Sequence, residues 1–422
     1  MKNRNCVEKK TLILLRNGIT SFEGIDKITV EKDEIKKVKE WIKNGSIPLL
    51  VEAPYGDGKT HINHIMQKTA LDEGNIVAYV QFDSQTPMHL PSKIFFQVFT
   101  NLMYVRDGKR FGIHDLIQDY VRKVNSEGKF TKAGSQFFDH PYLHPLHRTV
   151  TEVQRKNSNL NDSRYFRLWR YIFEGGVNTD WDMKNIPPTN YSTTGNVYFD
   201  IFSRITLAAR ELGFKKIILL FDELETQHNP LRYAWLAKSS RFMKALFLVS
   251  INEPSLLTEK TDRYYDNEIG GEVTLGEDSE LIYYGSQKHV RYVPQSEFTD
   301  LGLRCSFSIV KNEGKTFKNF ANEHKFEIVK LKKLTDNEQE ELLKKIISLY
   351  KETLKENHEF YEEFISDFSD IEDEFIGKIL KIVKSNQDNE SIRRLVRLTV
   401  GGLDLFKKWR LTNIEELLEL NE

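Results

Sequence analysis

The chain has 422 residues, with 61 lysines and arginines against 62 aspartates and glutamates and a formal net charge of −1. This balance argues against a surface coated with positive charge for nucleic acid, although a local basic face stays compatible with it. The 2 cysteines have no CxxC neighbour, so we expect a reducing compartment without a disulfide framework or structural zinc. The first residues show no secretory signal and no long apolar run. We therefore expect a cytoplasmic protein that does not contact a membrane.

The first part of the chain alternates helical and extended patterns. Apolar residues at helical spacing predict helices over 11–18 and 34–44, and a glycine closes each of them. Short apolar runs predict strands over 47–52 and 76–82, and an amphipathic helix is expected over 91–105. A glycine-rich turn and a further helix follow the first strand. The apolar face of that helix is marked by Ile62, Ile65, Met66 and Ala70.

The middle of the chain holds one region that is hard to interpret and two strong apolar runs. Residues from about 108 to 196 mix helical patches with polar loops, and we interpret them as an insertion. A helix is predicted over 197–213. The continuous apolar run over 217–221 is typical of a strand buried on both faces, and a similar run over 245–251 predicts the next strand. Strands alternating with helices predict an α/β fold with a mostly parallel sheet flanked by helices.

The last part of the chain changes character twice. Tyrosines, glycines and short alternating runs over 256–328 predict a β-rich insertion. Helices resume near residue 329, where Thr335 and Glu338 form a capping-box pattern. The expected domains are an α/β core over 1–255 that contains the insertion at about 108–196, a β-rich insertion over 256–328, and a helical lid over 329–422.

The strongest motif runs from Ala53 to Thr60 and reads Ala-Pro-Tyr-Gly-Asp-Gly-Lys-Thr. It matches the phosphate-binding pattern G-x-x-x-x-G-K-[ST] except at its first position, where Ala53 replaces glycine. The backbone N–H groups of such a loop surround phosphate oxygens, and the following helix adds the positive end of its dipole. Lys59 would reach the β- and γ-phosphates and Thr60 would hold Mg²⁺. We therefore expect ATP and Mg²⁺ as cofactors, bound by Gly56, Asp57, Gly58, Lys59 and Thr60.

A second motif strengthens this interpretation. The apolar run ends in Asp222 and Glu223, which is the Walker B arrangement of P-loop ATPases. Asp222 would bind Mg²⁺, and Glu223 would orient and deprotonate the attacking water as a general base. A core strand that ends in a solvated acidic turn is the alternative, and the upstream phosphate-binding motif makes it the weaker one. Glu223 and Lys59 are the expected catalytic residues.

Polar residues elsewhere are candidates for contacts with the γ-phosphate. Asn252, with Ser250 as second choice, follows the predicted strand over 245–251 and would be the sensor 1 residue of an AAA+ ATPase. An ordinary polar residue at a strand end explains it equally well.

Arginines are the other candidates. Arg393 and Arg394 on a late helix would be sensor 2 residues, although a solvated helix face is an equal alternative. Arg232 and Arg241 are weaker candidates for an arginine finger that serves a neighbouring subunit.

The order and spacing of these segments resemble the BREX-system ATP-binding domain family. The segments that carry the resemblance are 14–18, 30–34, 53–61, 76–83, 220–225, 329–335 and 391–398. The family comprises ORC-like AAA+ P-loop ATPases of bacterial anti-phage defence, and its histidine after Gly-Lys-Thr is present as His61. The resemblance implies that His61 belongs to the nucleotide site and that the fold is an AAA+/ORC-like P-loop domain with a helical lid. Residues from about 108 to 196 and from 256 to 326 have no counterpart in the motifs that carry it.

The resemblance implies an ATPase that works as a nucleotide-gated switch or motor in an anti-phage defence complex. It also implies other defence proteins as partners and a homo- or hetero-oligomer. Two alternatives stay open. The first is an ATP-loaded scaffold that hydrolyses little and recruits an effector, which the missing first glycine favours. The second is a nucleic-acid loader, which the near-neutral charge disfavours, as does the lack of room behind the lid for a winged-helix domain.

Overall fold

The computed structural model describes most of the chain in seven long stretches and several short pieces. The long stretches are 4–127, 143–155, 194–228, 301–311, 315–355, 358–385 and 391–409. The short pieces are 168, 239, 242–243, 246–252, 262–266 and 271–275.

The strands form one seven-stranded sheet in the order β4-β3-β2-β5-β8-β1-β9 and a separate pair, β6 and β7. In chain order the strands are β1 (Leu49–Ala53), β2 (Ile76–Gln81), β3 (Met103–Arg106), β4 (Lys109–Gly112), β5 (Ile217–Asp222), β6 (Asp262–Asp266), β7 (Gly271–Leu275), β8 (Leu303–Val310) and β9 (Glu327–Lys330).

Helices surround the sheet and continue beyond it. In the described stretches they are α1 (Arg4–Arg16), α2 (Ile25–Ile28), α3 (Asp33–Asn44), α4 (Lys59–Asp72), α5 (Pro91–Asn101), α6 (Ile113–Glu127), α7 (Leu143–Arg155), α8 (Thr194–Glu211), α9 (Lys315–Glu323), α10 (Asp336–Leu354), α11 (His358–Ser369), α12 (Glu372–Ser385) and α13 (Ser391–Trp409). A short 3-10 helix spans Leu224–His228.

The centre of the sheet is parallel and buried on both faces. Strand β5 pairs in parallel with β2 and β8, and β1 pairs in parallel with β8 and β9, whereas β3 and β4 are antiparallel. Leu219 and Phe221 pack on the face covered by α5, α6 and α8, while Ile218 and Leu220 pack on the face covered by α3 and α4. The continuous apolar run of β5 follows from this double burial. The predicted α/β fold with a mostly parallel sheet and flanking helices is confirmed.

Strand β8 lies where the sequence analysis placed an insertion. It is buried along almost its whole length and runs between β1 and β5, so residues 303–310 belong to the core and not to an insertion. The strand predicted over 245–251 is wrong, because residues 246–250 are helical. A short buried apolar run cannot distinguish a helix from a strand by periodicity alone, and here Phe247 packs on Phe326 with ring centroids 5.4 Å apart.

The expected insertion at 108–196 also starts inside the core. Residues 109–112 form β4, which pairs with β3, and the apolar face of α6 packs in the main core. The helix predicted over 91–105 ends at Asn101, and β3 follows it. Of the expected β-rich region at 256–328, the antiparallel pair β6–β7 is described in addition to β8.

The helices α10 to α13 build a second apolar core, and the start of the chain joins it. Leu12 and Leu15 of α1 pack there with Ile28 and Val30. Arg16 Nε lies 2.6 Å from Asp404 Oδ2 on α13. Leu12, Leu15, Ile28 and Val30 therefore pack with the C-terminal helices, whereas Ile25 packs beside α3 and α4. The sequence analysis assigned this whole segment to the core over 1–255. The predicted capping box of Thr335 and Glu338 is confirmed at the start of α10.

Within the described residues, no helix combines the length and the apolar character needed to cross a membrane.

Candidate functional site

The loop between β1 and α4 is built for close approach of an anion. Gly56 and Gly58 have φ values of +77° and +93°, a left-handed conformation that glycine adopts without steric cost. Gly58 is the N-cap of α4. Because the first N–H groups of a helix have no intrahelical partner, this terminus presents donors and the positive end of a dipole. Such a terminus is a ready site for phosphate.

The residues of this loop line one cavity of about 430 Å³. Glu223 and Arg393 line the same cavity, so it brings together residues that are far apart in the sequence. One wall is apolar and comes from the N-terminal segment and the C-terminal helices. The lining residues predicted from the sequence are Gly56, Asp57, Gly58, Lys59, Thr60, His61, Glu223 and Arg393. The apolar wall includes Leu15, Ile28, Val30, Leu334, Ile392 and Val396.

Asp222 lies at the buried end of β5 and meets the loop directly. Its Oδ2 accepts a hydrogen bond of 3.0 Å from the Thr60 hydroxyl and one of 2.9 Å from the Tyr79 hydroxyl. Its Oδ1 accepts the Glu223 N–H at 2.9 Å. The sequence analysis placed Thr60 and Asp222 on one Mg²⁺, and the structure brings their oxygens together. Tyr79 was not foreseen, because a tyrosine inside an apolar strand resembles a core residue.

The donor set at this point fits Mg²⁺. Mg²⁺ prefers hard oxygen ligands and keeps several waters, so that proteins hold it by one or two carboxylates together with substrate phosphates. Thr60 and Asp222 supply a hydroxyl and a carboxylate. No group of three or more His, Cys, Asp or Glu side chains that could hold a metal occurs among the described residues. The two oxygens therefore suit a metal whose remaining ligands are water and phosphate.

Glu223 occupies an unusual backbone position at the tip of β5. Its φ is +60°, which is rare for a residue with a side chain and is often found at functional sites. Burial raises the pKa of Glu223, and the neighbouring Asp222 raises it further, whereas Lys59 and Arg393 oppose the shift. A carboxylate with a raised pKa is better matched to proton transfer near neutral pH.

Lys59 is paired with a residue that the sequence analysis did not select. Its Nζ forms an ion pair with Oε1 of Glu225, and the two side chains are only 7% and 8% exposed. The other carboxylate oxygen, Oε2, accepts the N–H of Val310 at 3.2 Å, at the end of β8. The third acid of the run Asp222-Glu-Leu-Glu225 was a visible signal, but the sequence did not reveal its partner.

Arg393 reaches the cavity from α13. Its guanidinium lies over the ring of Tyr55, 5.7 Å from the centroid. It also packs against Gly18, where an added Cβ would lie 2.5 Å from Arg393 Cγ. Arg394, the second sensor 2 candidate, is not among the described residues that line the cavity.

The sensor 1 assignment rested on a strand that is not present. Asn252 follows the helical residues 246–250 and is not among the described residues lining the cavity. The Ser250 hydroxyl donates to the Phe247 carbonyl within the same helical segment. Asn252 was expected at the end of the strand beside β5. That strand is β8, so a polar residue at this position would follow Val310. Arg232 and Arg241 lie outside the described residues.

His61 links the start of α4 to α2. Its Nε2 lies 3.2 Å from Thr29 Oγ1, and that hydroxyl donates to the Ile25 carbonyl at 2.7 Å. The Thr29 oxygen therefore accepts from an Nε2–H tautomer of His61. Desolvation, followed by the influence of His64 and Lys32, lowers the pKa of His61 to about 3. His61 thus stays neutral at physiological pH and acts as a hydrogen-bond donor.

Comparison of the chain with family models, with curated proteins and with solved structures finds no match in any of the three.

Proposed function

We propose that this chain is a cytoplasmic AAA+-like P-loop ATPase that binds ATP with Mg²⁺ and hydrolyses ATP to ADP and phosphate. The observation that carries the proposal is that Lys59, Thr60, Asp222 and Glu223 converge at one edge of the sheet. There the hydroxyl oxygen of Thr60 lies 3.0 Å from Oδ2 of Asp222. Strands β1 and β5 end at this edge with β8 between them, an order typical of the AAA+ class. Ligands of open parallel sheets bind outside the carboxyl ends of the strands.

The shape of the cavity supports a nucleotide as the ligand. Its polar end holds the glycine loop and Lys59, and its apolar wall includes Leu15, Ile392 and Val396. The polar end suits a phosphate chain, and the apolar wall suits the flat face of a base. One volume of about 430 Å³ accommodates both.

The proposed reaction assigns each residue a task. A water molecule attacks the γ-phosphorus, the bond to the β–γ bridging oxygen breaks, and ADP leaves with that electron pair. Glu223 accepts the proton of the attacking water. Lys59 donates hydrogen bonds to the β- and γ-phosphates, and Thr60 and Asp222 hold the metal. When bound, Mg²⁺ supplies positive charge that neutralises the phosphate oxygens.

Arg393 completes the site from the other side of the cavity. It belongs to α13, whereas Asp222 ends β5 and Glu223 follows that strand. A guanidinium directed at the γ-phosphate forms charge-assisted hydrogen bonds that strengthen as charge develops. Binding of ATP would therefore hold the C-terminal helices against the sheet, and hydrolysis would release them. This coupling is the basis of the proposed switch or motor in a defence complex with protein partners.

Two substitutions test the proposal. Lys59→Ala should abolish ATP binding measured by calorimetry, and Glu223→Gln should keep binding and stop steady-state turnover. Added DNA distinguishes a nucleic-acid-coupled motor, whose turnover should rise, from one that responds only to proteins. An unchanged rate in the Glu223→Gln protein would remove the general-base assignment.

A second candidate is an ATP-loaded scaffold that hydrolyses little and recruits an effector. The departure from the phosphate-binding pattern at Ala53 favours it. Tight ATP binding with negligible turnover, alone and with DNA, would support the scaffold over the ATPase.

A further inference from the structure

Glu225 contacts both Lys59 and the end of β8. One oxygen engages Lys59 and the other accepts the backbone N–H of Val310 at 3.2 Å. It follows Glu223 by two residues in the 3-10 helix, which packs against β8. A single side chain thus joins the phosphate-binding lysine to the end of the strand between β1 and β5.

The ion pair between Lys59 and Glu225 is buried, so the loss of either partner would destabilise the protein. Lys59 and Glu225 are 7% and 8% exposed, and a buried charge that loses its partner destabilises a protein strongly. Lys59 must therefore have an anion near it at all times. Glu225 provides this anion in the nucleotide-free chain, and a phosphate provides it in the bound state.

We infer that Glu225 is an internal competitor of the γ-phosphate for Lys59, and that ATP binds by exchanging one anion for the other. The inference rests on the proposed function, since it requires a phosphate at the glycine loop. Glu225 is a positioning residue, because it acts through Lys59. After the exchange, Glu225 keeps its hydrogen bond from the Val310 N–H but no longer contacts Lys59. The end of β8 is therefore the part of the sheet whose contacts change when a phosphate enters the cavity.

The test is the nucleotide affinity of Glu225→Gln in the full-length chain. Glutamine keeps the size and the acceptor for the Val310 N–H but removes the competing charge. We expect the Kd for an ATP analogue with a non-cleavable β–γ bridge, measured with Mg²⁺ by calorimetry, to fall by about tenfold or more, in line with coupling energies of close charge pairs. A Kd equal to or higher than that of the wild type overturns the inference.

A matched control separates this effect from a general loss of charge. Glu52 lies at 9% exposure on β1, next to the loop, and its partner is Lys318 at 3.9 Å. Glu52→Gln should leave the Kd of the analogue unchanged. If both variants tighten binding equally, the effect is one of net charge and the inference fails.

Thermal unfolding supplies a second measurement. The nucleotide-free Glu225→Gln protein should unfold at a lower temperature than the wild type, because Lys59 is left unpaired. Its stabilisation by the analogue should be larger than that of the wild type. Equal stabilisation in the two proteins would contradict the exchange.

If the glutamine variant does not fold, Glu225→Asp tests whether Glu225 competes with the γ-phosphate for Lys59. Aspartate keeps the charge but is one methylene shorter, so it cannot reach both Lys59 and Val310, and a smaller fall in Kd is expected. An unchanged Kd with a folded aspartate variant overturns the inference. If the wild type itself binds no analogue, the proposed function fails, which is a different outcome from wild-type binding that Glu225 does not affect.

Discussion

The hydroxyl of Tyr79 donates a hydrogen bond of 2.9 Å to Oδ2 of Asp222, the same oxygen that accepts from Thr60 at 3.0 Å. Tyr79 lies on β2 and Asp222 on β5, and these strands are neighbours in the sheet. The tyrosine therefore orients the carboxylate from the neighbouring strand. If Thr60 turns to a metal, Tyr79 remains as the donor that holds this oxygen.

Tyr79→Phe should weaken the metal site while leaving the phosphate loop intact. Groups that orient metal ligands through hydrogen bonds typically change metal affinity by about 10–100-fold. We expect the Mg²⁺ concentration for half-maximal ATPase activity to rise by about tenfold. A Mg²⁺ titration of the rate at saturating ATP measures it. An unchanged Mg²⁺ requirement would show that Thr60 and Asp222 need no help from the tyrosine.

Arg393 and its neighbour Arg394 form a natural pair of variants on one helix. Arg393→Met keeps the aliphatic stem that packs on Gly18 but removes the charge, so ATPase kcat should fall by at least about tenfold. Arg394→Met removes the same charge at a position that is not among the described lining residues, and its kcat should stay close to that of the wild type. Steady-state rates of both variants check this prediction, and equal losses would remove the sensor assignment from Arg393.

Gly18 joins the N-terminal segment to α13 by close packing. It has a φ of +68°, and a Cβ there would meet Arg393 Cγ at 2.5 Å and Arg397 Cδ at 3.3 Å. Gly18→Ala combines backbone strain with overpacking and should lower the free energy of unfolding by about 2–3 kcal/mol.

Gly74 is the control for backbone strain alone. Its φ is +72°, but no atom lies within 4 Å of a Cβ placed there. Gly74→Ala should therefore cost only about 1 kcal/mol. Urea unfolding of the two variants measures the difference, and equal losses would mean that the contact with α13 contributes nothing.

His61 should make the protein less stable in mild acid. Its pKa is lowered to about 3 in the folded state, against about 6.5 when unfolded. Between these values the unfolded chain binds the additional proton, so stability falls as the pH drops below about 6.5, by at most about 1.4 kcal/mol per pH unit for this group. His61→Gln should flatten the dependence of unfolding free energy on pH between 6.5 and 4. Parallel curves for the two proteins would show that another group is responsible.

The proposed site could be predicted from the sequence because phosphate and metal binding would require particular residues in a fixed order. Gly58, Lys59 and Thr60 before a helix, and Asp222 and Glu223 after a buried strand, were placed from the sequence, and the structure brings them together. Glu225 and Tyr79 were missed because their partners are distant in the sequence. Nothing local indicates that Glu225 meets Lys59 or that Tyr79 meets Asp222.

The position of β8 shows why part of the fold was not predictable. Its serines interrupt the apolar run, since Ser308 exchanges hydrogen bonds with Asn63 of α4 inside the core. A strand with buried polar side chains resembles a half-exposed strand in the sequence. The run over 245–251 has the opposite character, apolar throughout most of its length, and its residues 246–250 are helical. Which segment occupies the sheet is decided by packing between distant parts of the chain.

Because α1 packs against α13, the two helices can come together only after α13 has been synthesised. Leu15 belongs to α1 and Ile392 and Val396 to α13, yet they share one cavity wall. When the strands of the sheet have left the ribosome but α13 has not, the nascent chain already contains the glycine loop, Asp222 and Glu223. The apolar wall of the cavity still lacks the residues of α13. Such contacts between early and late residues form slowly because a long loop must close. Nascent chains are thus expected to complete this cavity only after residues 391–409 have left the ribosome.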